Sequence, residues 1–186
     1  MSTSIIIPAR YGSSRYRGKP LVKILGKEMV IRVADICNKI KNVKVFVATD
    51  SKKIANVVKK YGYKYIFTSS SCLTGTDRVA EASKKIRSKI YINVQGDEPT
   101  IDPKDIKKVI ETKKKFPNHV VCGYDKVHDF ENPSSINLPK VVVNSKGELI
   151  YISRALVPGK KKISQKIQYY KQVCIYAFNK TQLKKF

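Results

Sequence analysis

Along the first two-thirds of the chain, short unbroken apolar runs alternate with stretches whose apolar residues recur at helical spacing. Ser4 to Pro8 reads as a strand, and Gly12 to Pro20 as a loop rich in Gly and Arg. Met29, Val30, Val33, Ile36 and Ile40 then mark one face of a helix. Val45 to Ala48 is a buried strand ending at Thr49-Asp50, where Asp50 is expected to cap a helix that begins at Ser51. Ile54, Val57, Val58 and Tyr61 give that helix its inward face, and Gly62 ends it. Tyr65 to Phe67 is a third strand, and Asp77 is expected to cap a helix carrying Val79, Ala80 and Ile86. Ile90 to Val94 is a fourth strand, running into Gln95-Gly96-Asp97-Glu98-Pro99. Asp102 and Pro103 open a helix with Ile106, Val109 and Ile110 inward.

Strands that do not alternate are buried on both faces, so this rhythm predicts an α/β fold with a doubly wound, mostly parallel sheet of Rossmann-like type. After about residue 120 the texture changes. Val120 to Cys122, Lys140 to Val143, Leu149 to Ile152 and Tyr169 to Phe178 read as strands without long helices between them. Asn144-Ser145-Lys146-Gly147 is a hairpin turn between two of these. The expected organisation is an α/β core over residues 1–125 and a mixed or antiparallel strand extension over 126–186, continuous with the core. Lys180 to Phe186 opens a helix that stops within two turns, so the extension reads as truncated.

Composition adds one oddity. The 186 residues are 42% hydrophobic, ample for a core, yet 38 Lys and Arg against 14 Asp and Glu give a net charge of +24. Such an excess points towards nucleic acid, a membrane surface or anionic substrates. Only seven of these cations are Arg, however, and the lysines are spread along the chain. Those at 41, 44, 52, 53, 59, 60, 84, 85, 107, 108 and 113–115 fall on helix faces and strand flanks, which reads as a solvated surface. A nucleic-acid partner is therefore not expected. The amino terminus lacks a basic region followed by a long apolar run, and nothing later approaches a membrane span. Cys37, Cys72, Cys122 and Cys174 stand far apart without a C-x-x-C pair, giving neither a zinc site nor a disulfide framework. A cytoplasmic location follows as the expectation.

In an open α/β sheet the ligand lies beyond the carboxyl ends of the strands. Two segments are placed there. Pro8 to Leu21 follows strand one, with Gly12 and Gly18 permitting close backbone approach, Ser13 and Ser14 amides to face phosphate oxygens, and Arg10, Arg15 and Lys19 as cations. A solvated basic loop is the plain alternative. It is not a Walker loop, because Pro20 stands where Ser or Thr is needed. The second segment ends strand four, where Asp97 can hold Mg²⁺ against a triphosphate or serve only as a turn acid. No Ser-His or Cys-His arrangement suggests a covalent nucleophile, and His119 and His128 read as structural or exposed.

The motifs I-I-P-A-R-Y-x-S-S-R-x-x-G-K-P-L at 6–21, V-A-T-D at 47–50, T-G-T-D-R at 74–78 and N-V-Q-G-D-E-P at 93–99 together resemble the 3-deoxy-manno-octulosonate cytidylyltransferase (CMP-KDO synthetase) family. The resemblance implies a nucleotidyltransferase fold, with 1–125 as the nucleotide-binding core and 126–186 binding the sugar. It implies transfer of CMP from CTP to an eight-carbon ulosonic acid, with Mg²⁺, for lipopolysaccharide or a related surface glycan. By it, Arg10, Ser13 and Lys19 hold the triphosphate, and Ala9, Gly12 and Ser14 of the same loop also line the nucleotide. Lys19 stabilises departing pyrophosphate, Thr74, Gly75 and Arg78 sit by the cytidine, and Asp97 binds Mg²⁺. Gln95 contacts both CTP and sugar, while Arg154, Gln172 and Tyr176 contact the sugar acid. Arg10, Lys19 and Asp97 are the implied catalytic residues. Gln172 and Cys174 depart from the His and Gly of the family's pattern, which makes a modified ulosonic acid plausible. The family's closing helices, with a dimer contact and a second metal-binding Asp, would follow Phe186. Two other readings stay open: a sialate-type synthetase, against which Gln95 to Pro99 argues, and a non-catalytic basic module that binds nucleotide or nucleic acid.

Overall fold

The computed structural model describes residues 1–12, 16–162 and 164–186. The chain divides into two units, Met1–Val121 with Ile175–Phe186, and Cys122–Cys174. In chain order the elements are β1 (Thr3–Ala9), a 3-10 turn at Lys19–Leu21, a small hairpin of β2 (Lys23–Ile24) and β3 (Lys27–Glu28), and α1 (Met29–Asn38). Then come β4 (Val43–Thr49), α2 (Lys52–Lys60), β5 (Lys64–Phe67), α3 (Gly75–Lys84), β6 (Ile90–Val94) and α4 (Pro103–Lys115). The chain continues through β7 (Val121–Lys126), β8 (Lys140–Val143), β9 (Leu149–Ser153), β10 (Tyr170–Phe178) and α5 (Lys180–Leu183). The return of Ile175–Phe186 to the first unit runs differently from a single split at residue 125.

In the first unit β5, β4, β1 and β6 lie side by side and parallel, with Ile6 of β1 opposite both Phe46 and Asn93. The end of β10 adds antiparallel to β6, Ile175 opposite Val94 and Phe178 opposite Tyr91. Every residue of β1 and β6 is buried, which is the two-sided burial their unalternating sequences predict. From β1 the chain steps outward to β4 and β5, then returns to the other side of β1 as β6. The order therefore reverses between β1 and β6, and a ligand crevice belongs at their carboxyl ends. Ile6, Ala48, Val79, Ala82, Ile86, Tyr91, Phe178 and Leu183 pack one core cluster, joining α3 and α5 to the sheet.

Several local expectations change. Helix α3 is capped by Thr74, not Asp77; Asp77 is the third helical residue and completes a reciprocal capping box with Thr74. Ser51 holds the cap position of α2 without a side-chain bond, while Asp50 turns away to Tyr11 and Arg78. Asp102 caps α4 through the Lys104 amide, as its sequence suggests. Lys113, expected on a solvated face, is 1% exposed. Its ammonium donates to the carbonyls of Pro117 at 2.9 Å and His119 at 2.5 Å and to Gln182 Oε1 at 2.8 Å, closing the end of α4 and tying it to α5. Burial holds its pKa below the ordinary lysine value.

In the second unit β8 and β9 form the expected hairpin. The Asn144 side-chain oxygen accepts from the Lys146 and Glu148 amides, and Gly147 takes φ +77°. Lys140 is fully buried and donates to the carbonyls of Ser135 and Arg154, while Lys171 pairs with both carboxylate oxygens of Glu131 at 2.6 Å. The four cysteines are free thiols, and among the described residues no helix is long and apolar enough to cross a membrane.

Candidate active site

A cavity of about 350 Å³ opens at the carboxyl ends of β1 and β6, within the usual size range of small-molecule sites. Four segments wall it: the exit of β1, residues 16–20 around the 3-10 turn, the start of α3, and the turn after β6. Of the residues singled out from the sequence, Ala9, Arg10, Lys19, Thr74, Gly75, Arg78, Gln95 and Asp97 all line it. Lys19, 78 residues from Asp97 in sequence, places its ammonium 2.6 Å from the Asp97 carboxylate, both side chains nearly half exposed. The β1 loop and the β6 turn thus meet through one ion pair.

The walls explain the glycines. A Cβ on Gly96 would lie 2.7 Å from the Pro8 carbonyl oxygen, so only glycine lets the β6 turn sit against the exit of β1. A Cβ on Gly75 would meet the Gln95 amide at 3.1 Å and the Pro8 ring at 3.3 Å. Gly18 takes φ +77° and gives its amide to the Tyr11 carbonyl at 2.8 Å, closing the neck of the loop. Gly12, by contrast, has nothing within 4 Å of an added Cβ among the described residues and is absent from the lining, so no packing among those residues demands glycine there. Ser13 and Ser14 lie outside the described residues.

Arg78, expected beside the cytidine, reaches the cavity wall; it is 2% exposed, and its guanidinium is engaged by Thr68 Oγ1 at 2.5 Å and Asp50 at 2.9 Å. Thr74 likewise uses its hydroxyl and amide in the cap with Asp77. Gln95 donates to Asn93 Oδ1 at 3.2 Å across the floor. Tyr176 stands opposite Asn93 on β10, stacked on Phe178, and is not in the lining. In the second unit Arg154 donates to the Ile136 carbonyl, and Gln172 contacts Cys122 Sγ at 3.7 Å.

Tyr16 and Leu73 also line the cavity, and the sequence offered no sign of this, since neither is a specified position of any motif; Pro20, beside Lys19, lines it too. The fixed charges are largely paired: Lys19 with Asp97, Arg78 with Asp50. Arg10 is exposed and makes no ion pair among the described residues, which leaves its cation for an anionic ligand. Glu98, half-buried beside Asp97, has its pKa raised first by burial and then by the neighbouring carboxylate, with Lys19 opposing. Among the described residues no three His, Cys, Asp or Glu side chains gather as a metal cluster. The exposed Asp97 carboxylate with Glu98 next to it still suits Mg²⁺, which takes one or two carboxylates and completes its shell with phosphate oxygens and water.

Residues 4–186 match the family model described as cytidylyltransferase. The chain is 37% identical to a 3-deoxy-manno-octulosonate cytidylyltransferase of Escherichia coli, covering 98% of this chain and 74% of that protein. It is 40% identical to one from Rickettsia felis with the same coverage. Among solved structures, CMP:2-keto-3-deoxy-manno-octonic acid synthetase complexed with CTP is similar with a TM-score of 0.92 and 36% identity, covering 99% of this chain and 76% of the other.

Proposed function

The chain belongs to the cytidylyltransferase family, and from that premise we propose that it transfers the cytidylyl group of CTP to 3-deoxy-manno-octulosonate. The products are the CMP-sugar, a donor for lipopolysaccharide or a related surface glycan, and pyrophosphate. The observation that carries the reading is the meeting of Lys19 and Asp97 in a cavity at the β1/β6 reversal.

In the reaction the anomeric hydroxyl oxygen of the sugar acid bonds to the α-phosphorus. The bond from that phosphorus to the bridging oxygen breaks, and the hydroxyl proton is released. Catalysis of this kind rests on positioning and on charge placed where the transition state needs it. Arg10, exposed and without an ion pair among the described residues, and Lys19 bind the triphosphate, and Lys19 stabilises the charge that accumulates on departing pyrophosphate. The close packing at Gly75 leaves backbone at the surface where the cytidine lies, with Thr74 beside it. Gln95, whose amide is held by Asn93, is the contact for the sugar acid within this unit. The family resemblance alone assigns Tyr176, Arg154 and Gln172 to the same substrate. Asp97, with Glu98 beside it, would hold Mg²⁺, which when bound neutralises triphosphate charge.

The test is pyrophosphate release with CTP, Mg²⁺ and a panel of ulosonic acids, beside CTP binding by calorimetry. Release with the eight-carbon acid, abolished by a chelator, is expected. CTP binding without release for any eight-carbon acid would sink the assignment, and preference for a nine-carbon acid would redirect it. A homodimer is read by sedimentation in the same preparation.

A further inference from the structure

The mechanism above gives no task to Asp50, although it sits among the residues that build the site. Asp50 directly follows β4, and its side chain is 14% exposed. One carboxylate oxygen accepts the Tyr11 backbone amide at 3.2 Å. The other takes Arg78 Nη2 at 2.9 Å, and the remaining Arg78 arm is fixed by Thr68 Oγ1, just beyond β5. The Thr68 amide in turn donates to the Thr49 carbonyl at 2.9 Å. Asp50 is therefore held by a buried guanidinium that is itself anchored to two strand ends, so its free choice of rotamer is small.

The group it holds matters more. The Tyr11 amide links Tyr11 to Arg10, and the Tyr11 carbonyl accepts from Gly18 to close the loop neck. Lys19 follows directly and begins the 3-10 turn. The Tyr11 ring adds to the same point, with the Arg17 guanidinium 5.6 Å and the Lys53 ammonium 5.2 Å from its centroid. Both chain ends of the loop, and both cations assigned to the triphosphate, thus hang on one tyrosine backbone whose amide is fixed by Asp50.

We propose that Asp50 is a positioning residue for the triphosphate-binding loop, acting through the Tyr11 amide, with Arg78 as the counter-charge that holds Asp50 in place rather than as a direct ligand of the nucleotide. The proposal rests on the cytidylyltransferase reading for its ligand but not for its geometry. Asp50→Asn keeps the size and an acceptor oxygen but removes the charge that Arg78 needs; Asp50→Ala removes both functions. Asp35→Asn serves as a structural control, because it weakens a comparable network in which Asp35 meets Lys27 at 2.7 Å and Tyr63 at 2.6 Å on α1, away from the loop.

Amide hydrogen exchange tests the geometry. In Asp50→Ala the Tyr11 and Gly18 amides should exchange at least tenfold faster, with β4 and β6 amides unchanged, whereas Asp35→Asn should leave both protected. Calorimetry tests the consequence: Asp50→Asn should weaken CTP about tenfold, equivalent to about 1.4 kcal/mol, while cytidine binding changes less than twofold. Adding Arg78→Lys to Asp50→Asn should cost CTP affinity little more, since the pair acts as a unit. Unaltered Tyr11 protection, equal losses for CTP and cytidine, or a CTP loss as large in Asp35→Asn would each overturn the proposal. Failure of the wild-type protein to bind CTP while Asp50→Ala still deprotects Tyr11 would overturn the functional reading and leave the anchoring role standing.

Discussion

Replacing Gly96 by alanine probes how closely β1 and β6 must approach to build the site. The added Cβ would lie 2.7 Å from the Pro8 carbonyl oxygen and 3.4 Å from Ile7 Cγ2. The carbonyl belongs to a buried strand that stays paired with β4 through Ala9, so it has no flexible end to swing aside. Carbon–oxygen contacts in proteins settle at about 3.3 Å or more, so the two strand ends must part by roughly 0.6 Å. Overpacking of this kind costs about 1–3 kcal/mol. For a chain of this length each kcal/mol lowers Tm by about 2–4 °C, so a fall of roughly 4–8 °C is expected at the middle of that range. The same displacement separates Arg10 from Asp97, and a misplacement near 1 Å can cost about a hundredfold in rate, so roughly a tenfold loss of kcat/KM is expected here. Thermal unfolding and a pyrophosphate-release assay read the two effects. Gly12→Ala is the companion, since its Cβ would meet nothing within 4 Å among the described residues and Tm should stay within the roughly 0.5 kcal/mol scatter of surface changes. A Gly96→Ala protein with unchanged Tm and undiminished kcat/KM would refute the close-approach argument.

Lys19→Ala should lower kcat by about 10²–10³-fold, the range for losing one charge-stabilising donor, while thermal unfolding shifts little because its pair with Asp97 is half exposed. Lys113→Met should destabilise the fold by about 1–3 kcal/mol in denaturant unfolding, since the His119 carbonyl loses the ammonium as donor while the Pro117 carbonyl and Gln182 Oε1 keep only their bonds from Asn179. Glu131 is held below the ordinary carboxylate range first by its bond from Lys171, so its contribution is present above about pH 4.5 and lost as pH falls through the depressed value. Glu131→Gln should remove about 0.5–1 kcal/mol at pH 7, and that loss should shrink as the pH is lowered through the depressed value, read by unfolding across the acid range. Glu98 is shifted the other way, so it weakens the fold above its raised pKa; Glu98→Gln should raise Tm at pH 7 and lose that gain as the pH drops below the carboxylate range.

What the sequence conveyed followed from range of interaction. The parallel strands and α1 to α4 are legible because burial on two faces and helical spacing are written in neighbouring residues. The hairpin of β2 and β3 escaped, for two-residue strands show no alternation. Asp50 read as a cap because a carboxylate before Ser51 has that local use; its actual partners, Tyr11 and Arg78, lie 39 and 28 positions away. Thr74 and Asp77 are both able to cap α3, and only the backbone decides that Thr74 takes the cap and Asp77 the third helical position. Lys113 looked like its neighbours Lys114 and Lys115, and nothing local distinguishes the one that Gln182 covers. For the site, the motif order found eight of its walls' contacts because each lies at a strand exit or helix start, where fold geometry is strict. The apolar rim at Tyr16 and Leu73 has no such constraint.

The strand that completes β6 has a consequence in time. β6 pairs on one side with β1, made earlier, and on the other with Ile175–Phe178, which follow Val94 only after about 80 further residues. At roughly 5–20 residues per second of synthesis, β6 waits about 4–16 s with an open, largely apolar edge beside the half-built cavity. During that interval the nascent chain offers an unpaired template to any extended segment nearby. The Cys122–Cys174 unit is what the ribosome inserts into that wait, so its length sets the duration of exposure more than it sets final stability, since doubling a loop costs only about 0.6 kcal/mol.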